Sequence, residues 1–334
     1  MFPKEKIDLG QNVMPVVEND RCSVYKIQGP IGDGLMTCYE LLPGIVLMHC
    51  DMHMPQYFSE LRAKAEMFSI DHCREGRMES RLTSGQIIYL DAGTAVVHTA
   101  DGILPEFSCP TSHYHGLTIA FFLDEAQASL ASLFAGGDID LRRLRDKFCG
   151  GKPPIILPKE KVPCSLFSAL YEAPQNDDRR LHLLKLLELL FYLSDLDISG
   201  LNEKPYFYKT QVEKVKAIER NMMENLGAAH TIQSLSARFD FPPTSLKLCF
   251  KGVFGSSIHA YLRNQRMSVA AKLLRETNDR VADIAASVGY ENASKFAEAF
   301  RVCMGKSPNE YRRQTPPPWR YGDTKNIEES TPNG

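Results

Sequence analysis

The chain has no C-x-x-C pair, and its nine cysteines, at 22, 38, 50, 73, 109, 149, 164, 249 and 303, follow no pattern of a secreted disulfide framework. An odd, scattered set of this kind points to reduced, mostly buried thiols. The sequence also lacks any window near the roughly 18 to 20 uninterrupted apolar residues of a membrane helix. Its opening, MFPKEKIDLGQNVMP, holds no apolar stretch of the signal-peptide kind. These absences lead us to expect a soluble, cytoplasmic protein with no membrane partner. No Ser-His-Asp order, phosphate loop or paired-carboxylate signature stands out, so no catalytic residue is assigned and no cofactor is expected. Strong net charge is missing too: the formal value is −2, which argues against a nucleic-acid partner if the charge is evenly spread.

It is not evenly spread. Residues 205 to 315 carry 17 Lys and Arg against 10 Asp and Glu, while the remainder carries 22 against 31. The C-terminal third is basic. With 334 residues and 43% hydrophobic content the chain can build two ordinary cores. From about residue 13 to 123 the pattern is one of short apolar runs broken by Gly, Pro and Asp, such as SVYKIQ, LMTCYELL, IVLMHCDM and GLTIAFFL. Many short strands at this spacing predict a barrel or sandwich over 1–124. A helical regime spans 125–200 and is strongest in RRLHLLKLLELLFYLSDL. There Leu183, Leu184, Leu187, Leu190 and Phe191 form a stripe that Leu186, Leu189 and Leu193 widen. A face that broad needs cover on more than one side, from its own barrel or from its copy in a homodimer. A linker is expected at 201–208, a helical domain over 209–315 and a disordered, Pro-rich polar tail at 316–334.

The spacing predicts seven helices between Val212 and Arg313. The first, VEKVKAIERNMMENL, places Val212, Val215, Ile218 and Met222 on one face. Thr231 then caps TIQSLSARF, a turn follows at Asp240-Phe241-Pro242, and a second helix runs from Pro243 through Phe254 to a stop at Gly255. Helix, tight turn, helix is the grammar of a helix-turn-helix unit. Asp240 stands where such turns often carry Gly, and Asp tolerates the left-handed conformation better than most side chains. After a long helix, SSIHAYLRNQRMSVAAKLLRET, the grammar repeats in VADIAASVGYENASKFAEAFRVCMG, with a turn at Gly289 and a stop at Gly305. Small residues at Ala285 and Ala286 let the two helices approach. Phe250, Phe254, Phe296, Phe300, Tyr261 and Tyr311 fall at core positions. The helix between the units, about 20 residues, is roughly 30 Å long, close to the 34 Å of one DNA turn.

These residues closely resemble the AraC/XylS family of bacterial transcription regulators. The resemblance covers about 100 residues. It is carried by LSARF at 235–239, SLKLCFK at 245–251, VFG at 253–255, YLRNQRM at 261–267, AAKLL at 270–274, DIAASVGY at 283–290, FAEAFR at 296–301 and GKSPNEYR at 305–312. It implies sequence-specific binding to double-stranded DNA at promoter half-sites. It also implies a small-molecule effector, a homodimer and, for an activator, contact with RNA polymerase. In the first unit the implied base-reading positions are Thr244, Lys247 and Leu248, with Lys251 near phosphate. In the second they are Ala293, Ser294, Lys295 and Glu298, with Arg301 and Lys306 as phosphate contacts. Lys donates to guanine O6 and N7, while Leu and the Thr methyl suit a thymine methyl. Many relatives carry a basic residue where Glu298 stands; a carboxylate there accepts from cytosine N4 and repels phosphate. A solvated charged face is the alternative role for each of these charged residues.

The resemblance further implies an α+β chain in which a cupin-like β-barrel that senses ligand, with a helical dimerisation segment, precedes the all-α double helix-turn-helix domain. IDHCREGRME at 70–79, GQIIYLDAG at 85–93 and SHYHG at 112–116 are similar to a subgroup that includes siderophore-responsive members. Two histidine clusters invite a metal reading: His49, Asp51 and His53 in HCDMH, and His113 with His115 in HYH. Residues i and i+2 of a strand share a face, so His113 and His115 suit Zn²⁺ or Fe²⁺, which gives the alternative of a metal-dependent cupin enzyme fused to DNA-binding helices. Against it, the spacing of His49 and His53 suits a helix, no Glu completes an H-x-H-x-E set, and buried hydrogen-bonded histidines explain the same residues. No metal is assigned. A third reading is an architectural DNA-binding protein with a ligand-free spacer.

Overall fold

A computed structural model of the chain describes residues 7–19, 22–29, 31–58, 62–100, 103–133, 139–150, 154–172, 179–201 and 207–314. The expected tail at 316–334 and residues 202–206 of the expected linker lie outside the described residues. The chain divides into two units, Met1–Val212 with Gly252–Gly255, and Glu213–Lys251 with Ser256–Gly334.

The first unit is built on strands β1 (Ile7–Asp8), β2 (Val13–Glu18), β3 (Ser23–Gln28), β4 (Asp33–Leu42), β5 (Ile45–His53), β6 (Gln56–Phe58), β7 (Arg62–Ala63), β8 (Met67–Leu82), β9 (Ile87–Asp91), β10 (Ala95–Thr99), β11 (Ile103–Ser108), β12 (Tyr114–Phe122) and β13 (Ile155–Leu157). The main sheet runs β13-β10-β8-β12-β5-β4-β3-β2. Among the described residues its pairings are antiparallel. The 16-residue β8 joins two layers: its first half pairs with β10 and β12, and its second half pairs with β9 and β11. A large antiparallel sheet therefore stands where short apolar runs broken by Gly, Pro and Asp predict strands.

Period-two alternation sends side chains of one strand into two separate cores. On β5, Ile45 and Leu47 enter one core while Val46, Met48 and Met52 enter the other. β12 does the same with Leu117, Ile119 and Phe121 against Ala120 and Phe122. The first core is closed by α1 (Leu123–Leu133), α2 (Leu141–Cys149), α3 (Ser165–Ser168) with a 3₁₀ turn at Ala169–Tyr171, and α4 (Arg180–Asp195). The second, rich in methionine, surrounds a cavity of about 820 Å³.

On α4 the structure corrects the expected stripe. The buried side is His182, Leu186, Leu187, Leu189, Leu190 and Leu193, whereas Leu184 and Phe191 are 64% and 43% exposed. Apolar residues nearly all round this helix leave more than one packing face open, and contact with the sheet selects among them.

The second unit holds α5 (Lys209–Glu224), whose first residues are counted with the first, then α6 (Ile232–Arg238), α7 (Pro243–Phe254), whose last three residues are counted with the first, α8 (Ile258–Glu276), α9 (Val281–Ser287), α10 (Ala293–Met304) and α11 (Pro308–Gln314). These are the seven helices expected. Val212, Val215, Ile218 and Met222 of α5 are all buried. Among the described residues no helix is long and apolar enough to cross a membrane.

Candidate nucleic-acid interface

In the first helix-turn-helix, Thr231 opens α6 with a capping box: its side chain accepts from the Ser234 amide at 3.0 Å, and the Ser234 hydroxyl accepts from the Thr231 amide at 3.2 Å. Asp240 carries the turn with φ of 45°, and its carbonyl accepts a 2.8 Å bond from Lys214 Nζ. α7 then buries Leu246, Cys249, Phe250, Val253 and Phe254. Burial pushes the Cys249 thiol up to about 12, so it stays protonated and packs as a small apolar group. Phe250 meets Tyr261 edge-on at 5.5 Å. The opposite side of α7 presents Thr244, Lys247, Leu248 and Lys251, all exposed and spaced i, i+3, i+4, i+7.

The second unit repeats the plan. α9 buries Ile284 and Ala285; Ala286, expected to share the close approach, is exposed instead. The turn falls on Gly289, with φ of 84°. A Cβ there would stand 2.5 Å from the Gly227 carbonyl oxygen and 2.8 Å from Arg266 Nη2, so no side chain fits. Asn292 caps α10, accepting from the amides of Ser294 and Lys295 at 2.9 and 3.0 Å. Phe296 and Phe300 are fully buried, and Gly305 ends the helix in the left-handed conformation, with φ of 73°. Ala293, Ser294, Lys295, Glu298, Arg301 and Lys306 are exposed. Sequence reasoning missed Val302, 74% exposed, which continues the Ser294–Glu298 row at i+4. The signal was there: an apolar residue outside the Phe296–Phe300 face.

α8 is the element common to both helix-turn-helix units. Near its start Tyr261 donates to Glu219 of α5 at 3.0 Å, and burial holds the Glu219 carboxyl above its ordinary range despite that bond. Its centre carries Arg266, which donates to the carbonyls of Leu226 and Ala228 at 2.9 and 2.8 Å. Its second half, Met267, Ala270, Ala271 and Leu274, packs with Phe296 and Phe300. Nineteen residues at about 1.5 Å each make α8 roughly 28 Å long.

Two helix-turn-helix units on one connecting helix, each with a polar, partly cationic row facing solvent, define a double helix-turn-helix domain. A family model described as helix-turn-helix domain matches residues 235–314. The transcriptional activator RhaR of Yersinia pseudotuberculosis serotype O:3 is 32% identical over 102 residues, which are 30% of this chain and 35% of that protein. The uncharacterised regulator YisR of Bacillus subtilis is 33% identical over 94 residues, 28% of this chain and 33% of that one. Among solved structures, the C-terminal domain of AraT, a response regulator from Geobacillus stearothermophilus, is 31% identical, with 31% of this chain and 86% of that one covered and a TM-score of 0.30. The C-terminal region is thus an AraC-type helix-turn-helix domain. The chain spans about a third of the length of the curated relatives it matches.

The histidines of the first unit group differently from their order in the sequence. His113 precedes β12 rather than lying in it, so the i, i+2 pairing with His115 does not apply; its ring lies 5.0 Å from that of His53. His115 instead meets Tyr171 edge-on at 5.7 Å. His49 and His53 both lie on β5, not on a helix, about 13 Å apart by strand rise. His49 is held by the Leu170 carbonyl at 2.7 Å, and burial holds it below the usual histidine range. The structure does gather Asp51, His53 and His113, whose ligand atoms lie within 4.8 Å of one another, with Glu75 3.8 Å from His113. Two imidazoles and a carboxylate suit a borderline cation such as Zn²⁺, at a site open to solvent.

Proposed function

We propose that the chain is a sequence-specific, DNA-binding transcription regulator whose C-terminal domain reads two neighbouring half-sites. One observation carries this: two exposed rows, on α7 and α10, are tied to one helix roughly 28 Å long, close to the 34 Å turn of B-DNA. In this reading Lys247 and Lys295 donate to base edges, Thr244, Leu248, Ala293 and Ser294 make smaller contacts, and Lys251, Arg301 and Lys306 meet phosphate. Glu298 selects a cytosine amino group.

The first unit is read as a cupin-like effector barrel, with the large antiparallel sheet and its 820 Å³ cavity in support. A homodimer forms through α4, where Leu181, Leu184 and Phe191 leave 48%, 64% and 43% of their surface exposed. Effector binding shifts dimer geometry and so the fit to half-sites, with RNA polymerase the further partner at an activated promoter. The curated relatives named above are regulators, which favours this over a fused enzyme.

The test is selection of a preferred duplex from a random pool by the full chain, followed by competition against random DNA at fixed salt. We expect a preferred site bound at least a hundredfold more tightly, and loss of that preference in Lys247→Ala and Lys295→Ala with the fold intact. Equal binding to all duplexes would reject sequence reading in favour of an architectural role.

A further inference from the structure

We propose that the methionine-rich cavity binds a largely apolar molecule anchored by one uncharged hydroxyl or N–H donor, which bonds the free carboxylate oxygen Oδ1 of Asp71. This rests on reading the first unit as an effector domain and names the chemistry that the effector needs.

The cavity, about 820 Å³, lies within the range of small-molecule sites. Its wall includes Met36, Met48, Met52, Met67 and Met78, each at least nine-tenths buried. Unbranched thioether side chains adjust to varied apolar shapes and make favourable contacts at aromatic edges, so this wall suits a hydrocarbon or aromatic body. Into it β8 brings Asp71 and β10 brings His98. In the antiparallel register Asp71 lies opposite Val96 and His98 opposite Ser69, which makes the two side chains diagonal neighbours on the cavity face.

Asp71 is 7% exposed, and His98 Nε2 donates to its Oδ2 at 2.8 Å. His98 Nδ1 faces the Thr99 carbonyl at 3.3 Å. Both ring nitrogens therefore point at acceptors, the arrangement of a doubly protonated ring. Burial alone lowers the basicity of His98, but the charge of Asp71 and the bond to it prevail and raise it. The pair is then balanced in charge. Asp71 Oδ1 is left buried with no hydrogen-bond partner.

A buried carboxylate oxygen without a donor is costly, and a ligand that supplies the donor recovers that cost on binding. A carboxylate ligand fails here: it sets acceptor against acceptor, adds a second negative charge, and finds both nitrogens of His98 already engaged. An ammonium adds an unbalanced buried charge to a neutral pair. An uncharged donor meets neither penalty.

Calorimetric titration of the full chain with two probes on one aromatic frame, 1-naphthylmethanol and 1-naphthoate, tests this at neutral pH. We expect the alcohol to bind at least about tenfold more tightly than the carboxylate, a gap of about 1.4 kcal/mol. Asp71→Asn, whose amide offers both a donor and an acceptor, should shrink the preference to under about threefold. Met36→Trp, which fills the cavity from β4 away from Asp71, should abolish binding of the alcohol. Equal affinities in the unaltered chain, tighter binding of the carboxylate, no heat from either probe, or full binding by Met36→Trp would each overturn the proposal. None of these measurements contains DNA. A chain that selects a duplex but ignores both probes keeps the regulator reading and loses this inference, and the converse result does the reverse.

Discussion

The two helix-turn-helix units follow one plan and part company at the turn and at the outward row. The first turns on Asp240, at φ of 45°, and the second on Gly289, at φ of 84°. Asp can occupy that region because a short polar side chain tolerates it. At Gly289 tolerance is not enough, because the Gly227 carbonyl and Arg266 occupy the space a Cβ needs. The outward rows differ in charge pattern as well. α7 shows Lys247 and Lys251 beside Leu248, whereas α10 sets Glu298 between Lys295 and Arg301, with Val302 alongside. A shared backbone plan thus leaves each unit free to meet its own packing and to carry its own outward row.

The largest test of this contrast removes the second core outright. Phe300→Ala should cost about 3–5 kcal/mol in chemical denaturation, since Phe300 is fully buried against α8 and Tyr311. A loss under about 1 kcal/mol would mean that α10 is held by something else. Next comes the turn: Gly289→Ala should cost about 2–4 kcal/mol, combining left-handed strain with overpacking. Lys247→Ala should lower affinity for the selected duplex by about 1–3 kcal/mol and relax the preference at one base pair, measured by competition. Lys295→Ala should lose less, because Glu298 already weakens that face. Glu298→Lys should raise affinity for random duplex and steepen the salt dependence by about one phosphate contact, a slope change near 0.9. The smallest effect is at the other turn: Asp240→Gly should change stability by less than about 1 kcal/mol, and a larger loss would give Asp240 a role beyond its backbone.

Legibility followed the range of the interactions. Caps and turns such as Thr231, Asp240, Gly289 and Gly305 are set within a few residues, and the helix periods of α7 to α10 lie wholly in local spacing. The short apolar run IVLMHCDM gives the strand. What the sequence could not give were choices made by distant partners. On α4, leucines nearly all round the helix hid that Leu184 and Phe191 face outward. The histidines misled because adjacency is not proximity in a sheet: His113 finds His53, sixty residues away, rather than His115. Asp71 and His98 meet through the pairing of β8 with β10, and nothing near either residue announces it.

α8 anchors both units without a break, so its length acts as a ruler with fixed phase. One residue inserted into it would twist one reading helix by about 100° and shift it by about 1.5 Å relative to the other. On the proposed reading, then, the spacing of acceptable operators is written into a stretch of protein that touches no base. New base preferences can evolve one side chain at a time on α7 or α10, while new spacings require that ruler to be recut.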